Sequence, residues 1–109
     1  MKDTKSINLD QKVVLITGGT GSFGQKIAYY LLNNFNLKKL IIFSRDEQKQ
    51  VEMQHSAAFH NKKNLRFFIG DVRDKNRLKM AMRDVEYVIH TAALKHVPVA
   101  EYNPFECIH

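Results

Sequence analysis

Four short apolar runs, helical patterns between them and a glycine-rich turn directly after the first run predict an α/β chain built on a doubly wound parallel sheet. Each run is continuous rather than alternating, as a strand covered by helices on both faces requires. The predicted strands are Val13 to Thr17, Leu40 to Ser44, Leu65 to Ile69 and Tyr87 to His90. Right-handed crossovers place them in the spatial order 3-2-1-4, the N-terminal portion of a Rossmann-type sheet.

Met1 to Gln11 read as a polar N-terminal arm, and residues 12–109 as a single dinucleotide-binding domain. The first strand empties into Gly18-Gly19-Thr20-Gly21-Ser22-Phe23-Gly24, and a helix follows. Spaced glycines suit a phosphate cradle because the turn needs unusual φ values, the backbone must approach a pyrophosphate closely, and helix and strand must pack tightly. The helix then offers free N–H groups and its positive dipole end to the phosphates. Phe23, Ile27 and Leu31 repeat at helical spacing, and Asn33-Asn34 close that helix. Asp46-Glu47 open a second helix with acids in its first turn, carried to about Phe59 by Val51 and Ala58. A third runs from Asp74 to Met82 with Leu78 and Met82 inward. Glu106 to His109 fall where a fourth helix should be under way, so the domain reads as truncated before the catalytic segment of a longer enzyme.

Composition narrows the function classes. With 109 residues, 44% of them hydrophobic, the chain is long enough for one real core. No apolar run approaches the roughly 18 residues of a membrane span and the start lacks a secretory signal, so a cytoplasmic protein is expected. Cys107 is the single cysteine, which excludes an intrachain disulfide and a cysteine-rich metal site. The net charge of +6 is carried by scattered pairs such as Lys38-Lys39 and Lys62-Lys63. That pattern speaks against nucleic acid and leaves a role with polyanionic small ligands.

Candidate binding residues cluster after the strands. Ser44 stands where an NAD-binding fold usually places an acid for the ribose 2′-hydroxyl, and Arg45 and Lys49 follow it. A hydroxyl and two cations suit a 2′-phosphate, so NADP is expected over NAD. The alternative is that Asp46 holds the ribose while Arg45 stacks on adenine or meets solvent. Asp71-Val72 follow the third strand, where Asp71 is either an acceptor for the adenine amino group or a turn former. After the fourth strand, small residues in His90-Thr91-Ala92-Ala93 let a nicotinamide ribose lie against the backbone, and Lys95 can reach a phosphate or hydroxyl. His90 and His96 read as structural histidines, because no further ligand stands at metal-binding spacing.

These blocks, together with Arg66-Phe67-Phe68-Ile69-Gly70-Asp71-Val72-Arg73-Asp74, Ala93-Leu94-Lys95-His96-Val97-Pro98 and Glu101-Tyr102-Asn103-Pro104, resemble the N-terminal part of the configuration-inverting UDP-N-acetylglucosamine 4,6-dehydratases. That group of extended short-chain dehydrogenases/reductases supplies sugar nucleotides for pseudaminic acid, flagellin glycans or capsules. The resemblance implies NADP contacts at Gly18, Thr20, Gly21, Ser22, Phe23 and Gly24, at Ser44, Arg45, Asp46, Glu47, Gln48 and Lys49, and at Asp71, Val72, Thr91 and Lys95. Lys95 would also touch a UDP-sugar substrate. One departure is Thr91, where the family usually has alanine. The implied reaction is redox-neutral: sugar C4 is oxidised, water is lost across C5 and C6, and the hydride returns to C6 with inversion at C5. A homo-oligomer is expected of the full-length protein.

No catalytic residue is expected within this chain. The family's Tyr-x-x-x-Lys pair is missing, since Tyr29, Tyr30, Tyr87 and Tyr102 are followed four positions on by Asn33, Asn34, Thr91 and Glu106. Two alternatives stay open: another extended short-chain sugar-nucleotide epimerase or reductase, and a stand-alone NADP-binding module.

Overall fold

The run Val13–Thr17 has no polar face, so it is satisfied only where both faces are covered. In a computed structural model that describes residues 8–91, it is one of the two interior strands of a four-stranded sheet and is buried along its whole length. The elements are β1 (Val13–Thr17), α1 (Ser22–Asn34), β2 (Lys39–Ser44), α2 (Glu47–His55), β3 (Leu65–Ile69), α3 (Lys75–Ala81) and β4 (Tyr87–His90). All pairings are parallel and the order is β3-β2-β1-β4, the Rossmann-type arrangement the alternating pattern predicts. Thr17 pairs with both Phe43 and His90, so β1, β2 and β4 end level at one edge of the sheet.

Period-two alternation along β1 divides the core. Val14 and Ile16 join Ile27, Ala28 and Leu31 of α1 and Met53 of α2 on one face. Val13 and Leu15 face the other way, onto Val88 and Ala81, with Leu78 and Met82 packed alongside. The expected inward Leu78 and Met82 therefore lie where α3 covers the sheet. Leu9, within the segment expected as a polar arm, is buried in the first cluster.

Helix α2 departs from its expected course in two ways. It stops at His55, not near Phe59, because Ser56 turns to extended backbone and both its N–H and its hydroxyl donate to the Met53 carbonyl. Phe59 still reaches the core from the following turn. Val51 is 47% exposed, and the inward positions of α2 belong to Gln50 and Met53. The Gln50 amide donates to Ser44 O (3.2 Å), Ser44 Oγ (3.0 Å) and Phe68 O (3.1 Å). One buried polar side chain thus ties α2 to the ends of both β2 and β3.

The expected fourth helix, together with Lys95 and His96, lies outside the described residues. Among the described residues no helix is long and apolar enough to cross a membrane.

Gln50→Ala removes the donor shared by the Ser44 hydroxyl, the Ser44 carbonyl and the Phe68 carbonyl, of which the Ser44 carbonyl keeps its bond from Gly70 N. The expected loss is about 1–3 kcal/mol in urea denaturation, and a loss within experimental error of zero would show that water replaces the amide freely.

Candidate functional site

The level ends of the strands open into a cleft of about 580 Å³. Its floor is the turn between β1 and α1. Gly18 has φ 71, the left-handed region that glycine enters without penalty. Its N–H donates to Phe43 O at 2.9 Å and its carbonyl accepts from Gly21 N at 3.2 Å. A Cβ on Gly24 would sit 2.5 Å from that same carbonyl and 2.6 Å from Gly19 Cα, so Gly24 is where helix and turn touch. Gly21 differs: a Cβ there meets nothing closer than 3.6 Å. The fold itself leaves room for a Cβ at this position.

The three helix starts are capped differently. Asp46 Oδ1 accepts from Lys49 N at 3.0 Å, and Asp74 Oδ1 accepts from Arg77 N at 3.1 Å, so α2 and α3 are capped by their own side chains. Helix α1 has Gly21 at its N-cap and so no side-chain cap, although it borders the cleft. Its first N–H groups, which have no partners within the helix, face a region where an anion is stabilised.

Beyond β2, Ser44, Arg45, Asp46 and Lys49 line the cleft; Glu47 and Gln48 do not. Gln48 instead reaches along α2 to Glu52. The Ser44 hydroxyl is buried and already accepts from Gln50, while the Asp46 carboxylate is engaged as a cap. Arg45 and Lys49 therefore supply the cationic side chains at this end.

Beyond β3, Gly70, Asp71 and Val72 form the facing wall. A Cβ on Gly70 would strike the Phe43 ring at 2.6 Å and Arg77 Cγ at 2.8 Å. Arg77 lies over the Phe68 ring, 4.4 Å from its centre, and donates to Ile69 O at 2.7 Å, which fixes where the strand ends. Asp71 shapes its own turn: its Oδ1 accepts from Arg73 N at 2.9 Å, and its carbonyl accepts from Asp74 N. The Arg73 guanidinium grips the same carboxylate, with Nε 3.1 Å from Oδ1 and Nη2 2.7 Å from Oδ2. These bonds, the side-chain ones foremost, hold the Asp71 carboxyl well below the usual carboxylate range. Arg73 was not among the expected site residues. Its signal was the Asp-x-Arg spacing after an apolar run, which reads equally well as a solvated pair.

Phe23 is 41% exposed and lines the cleft, so the helical spacing it shares with Ile27 and Leu31 does not make it a core residue. Thr91 also borders the cleft, yet its hydroxyl turns away, donating to Thr17 O at 2.6 Å and Gly18 O at 3.1 Å. His90 Nδ1 shares a hydrogen bond of 2.9 Å with Thr17 Oγ1, and burial pushes the imidazole pKa down. It is a satisfied histidine at a strand end. A larger cleft of about 730 Å³ runs between α1 and α2 and meets the first at Thr20, Ser22 and Lys49.

A family model described as polysaccharide biosynthesis protein matches residues 14–109. The chain is 62% identical over 97 residues to the UDP-N-acetylglucosamine 4,6-dehydratase (inverting) of Campylobacter jejuni subsp. jejuni serotype O:23/36 (strain 81-176), covering 89% of this chain and 28% of that protein. It is 50% identical over 100 residues to a UDP-glucose 4-epimerase of Rickettsia bellii (strain OSU 85-389), again covering 89% and 28%. The X-ray structure of Pen from Bacillus thuringiensis superposes with a TM-score of 0.74 at 40% identity, over 93% of this chain and 30% of that one. The chain thus spans less than a third of the length of these curated relatives.

The two kinds of glycine separate by mutation. Gly24→Ala should cost about 1–3 kcal/mol or more through overpacking against backbone, whereas Gly21→Ala should cost no more than about 1 kcal/mol; thermal melts of the two variants check the order. Asp71 titrates unusually as well. Because its folded pKa is depressed, its contribution to stability is present above pH about 4 and is lost as pH falls below that towards the folded midpoint. Its carboxyl ¹³C shift should still report the ionised form at pH about 4, and Arg73→Ala should raise the midpoint. An unchanged midpoint would show that the guanidinium does not hold the charge.

Proposed function

The chain belongs to the polysaccharide biosynthesis protein family, and on that premise we propose that it is the N-terminal, NADP-binding part of a UDP-N-acetylglucosamine 4,6-dehydratase of the inverting type. The observation that carries this reading is the 62% identity to the Campylobacter enzyme. An alignment of 97 residues within 109 contains the whole stretch from Gly18 to Thr91 that builds the cleft.

The cleft fits a dinucleotide. The uncapped start of α1 and the open face of Gly21 accept a pyrophosphate against the backbone, where any larger residue at position 21 would take its room. Arg45 and Lys49 neutralise a ribose 2′-phosphate, which is the basis for NADP over NAD. Asp71 and Val72 flank the adenine, and Thr20, Ser22 and Phe23 line the path toward Thr91; Lys95, outside the described residues, is assigned to cofactor and sugar nucleotide by the family resemblance. Bound there, the nicotinamide supplies a reversible hydride acceptor for the sugar. The chain's own residues bind and orient. Proton transfer at the sugar falls to residues outside it, since no Tyr-x-x-x-Lys pair is present. A UDP-sugar substrate, a homo-oligomeric full-length protein and a cytoplasmic setting complete the reading.

A second reading, a UDP-sugar 4-epimerase, is favoured by the 50% identity to the Rickettsia protein. Mass separates the two. The full-length protein incubated with UDP-N-acetylglucosamine and NADP⁺ should give a product lighter by one water; an isomer of unchanged mass, resolved from the substrate by chromatography, would replace the dehydratase with the epimerase.

A further inference from the structure

The adenosine end of the cleft holds a feature that neither the glycine turn nor the pyrophosphate explains. A single carboxylate oxygen, Asp71 Oδ2, lies 2.7 Å from Arg73 Nη2 and 3.4 Å from Arg45 Nη1. The two guanidiniums come from different loops, Arg45 from β2–α2 and Arg73 from β3–α3. Both side chains are largely exposed, 73% for Arg45 and 78% for Arg73, and both border the cleft. Neither is needed to fill the core. Two exposed arginines converging from separate loops on one anionic oxygen already form a two-sided receptor for an oxyanion, with Asp71 filling it.

Resting on the NADP reading above, we propose that Arg45 and Arg73 together clamp the ribose 2′-phosphate, and that Asp71 is the internal anion that holds the two arginines in position until the phosphate engages them. Arg73 is then a second specificity-determining residue, on the opposite wall from Ser44, Arg45 and Lys49. The arrangement suits the task. A guanidinium has five donors, so Arg73 keeps its Nε bond to Asp71 Oδ1 while its outer nitrogens turn to a phosphate oxygen. A dianionic phosphate, carrying more charge than a carboxylate, competes well for donors held in solvent. NAD carries no such group and leaves Arg73 with Asp71.

The test measures NADP and NAD dissociation constants for the full-length protein by calorimetry and compares their ratio across variants. Arg73→Ala should weaken NADP about tenfold and NAD less than about twofold, and Arg45→Ala should do the same. Arg73→Lys, which keeps the charge and loses the fork, should fall between wild type and Arg73→Ala. A competing explanation is that Arg73 only masks the Asp71 charge, and the double variant Asp71→Asn/Arg73→Ala addresses it. A clamp predicts that the double variant keeps the poor NADP preference of Arg73→Ala; recovery of the wild-type ratio would overturn the clamp in favour of masking. Equal losses for both nucleotides in Arg73→Ala would overturn it too. A wild-type protein that binds neither nucleotide overturns the cofactor reading itself, whereas wild-type preference for NADP unaltered by Arg73→Ala overturns the clamp alone.

Discussion

The contact between Gly24 and the Gly18 carbonyl is the constraint on which the rest of the molecule depends. It brings the first turn of α1 against the end of β1 at a distance no side chain permits. With that approach made, Ile27, Ala28 and Leu31 descend onto the same sheet face as Val14 and Ile16. The open start of the helix is left beside the cleft. Had the turn been looser, α1 could pack on the sheet just as deeply, but its N–H groups would point elsewhere. Core packing and the placing of the helix's free N–H groups beside the cleft are thus set by one backbone contact.

Around that contact the strand ends are tied by polar side chains rather than by apolar packing. Gln50 joins β2 to β3 through their carbonyls, Arg77 holds the last carbonyl of β3, and Thr91 holds those of Thr17 and Gly18. Strand-end carbonyls beside a wet cleft would otherwise bond to water and let the loops drift. Each tie comes from a helix or from the residue after a strand, so the loops that carry Arg45, Asp71 and the glycine turn inherit the rigidity of the sheet.

Much of this was legible in the residues. Continuous apolar strands, intervening helical periods and spaced glycines led to the strand order and to most of the cleft lining, because burial on both faces leaves few alternatives. What was not legible depended on partners distant in the chain. Gln50 reads as a surface glutamine in a polar helix, and only the neighbouring strand ends make it a core residue. Val51 is the opposite case, an apolar side chain that faces solvent. The end of α2 was missed because a serine hydroxyl bonding back to Met53 is a local competition that periodicity does not register. Glu47 and Gln48 entered the expected site through the family resemblance, and neither lines the cleft. Arg73 was passed over because a guanidinium beside a carboxylate is, without the opposing loop, an ordinary surface pair.

The central place of β1 bears on how the molecule comes into being. Among the described residues it is the first strand and the most apolar, yet its two neighbours are β2 and β4, and Thr17 meets His90 across most of the described sequence. A chain leaving the ribosome therefore carries an interior strand with one edge bare until residue 90 has emerged, an interval of about 4–15 s at ordinary rates of synthesis. Through that interval Val14, Leu15 and Ile16 form a segment that pairs readily with any extended strand. In the folded molecule α1 covers one face of that segment through Ile27, Ala28 and Leu31, but the edge that β4 will occupy has no cover until β4 itself has been made.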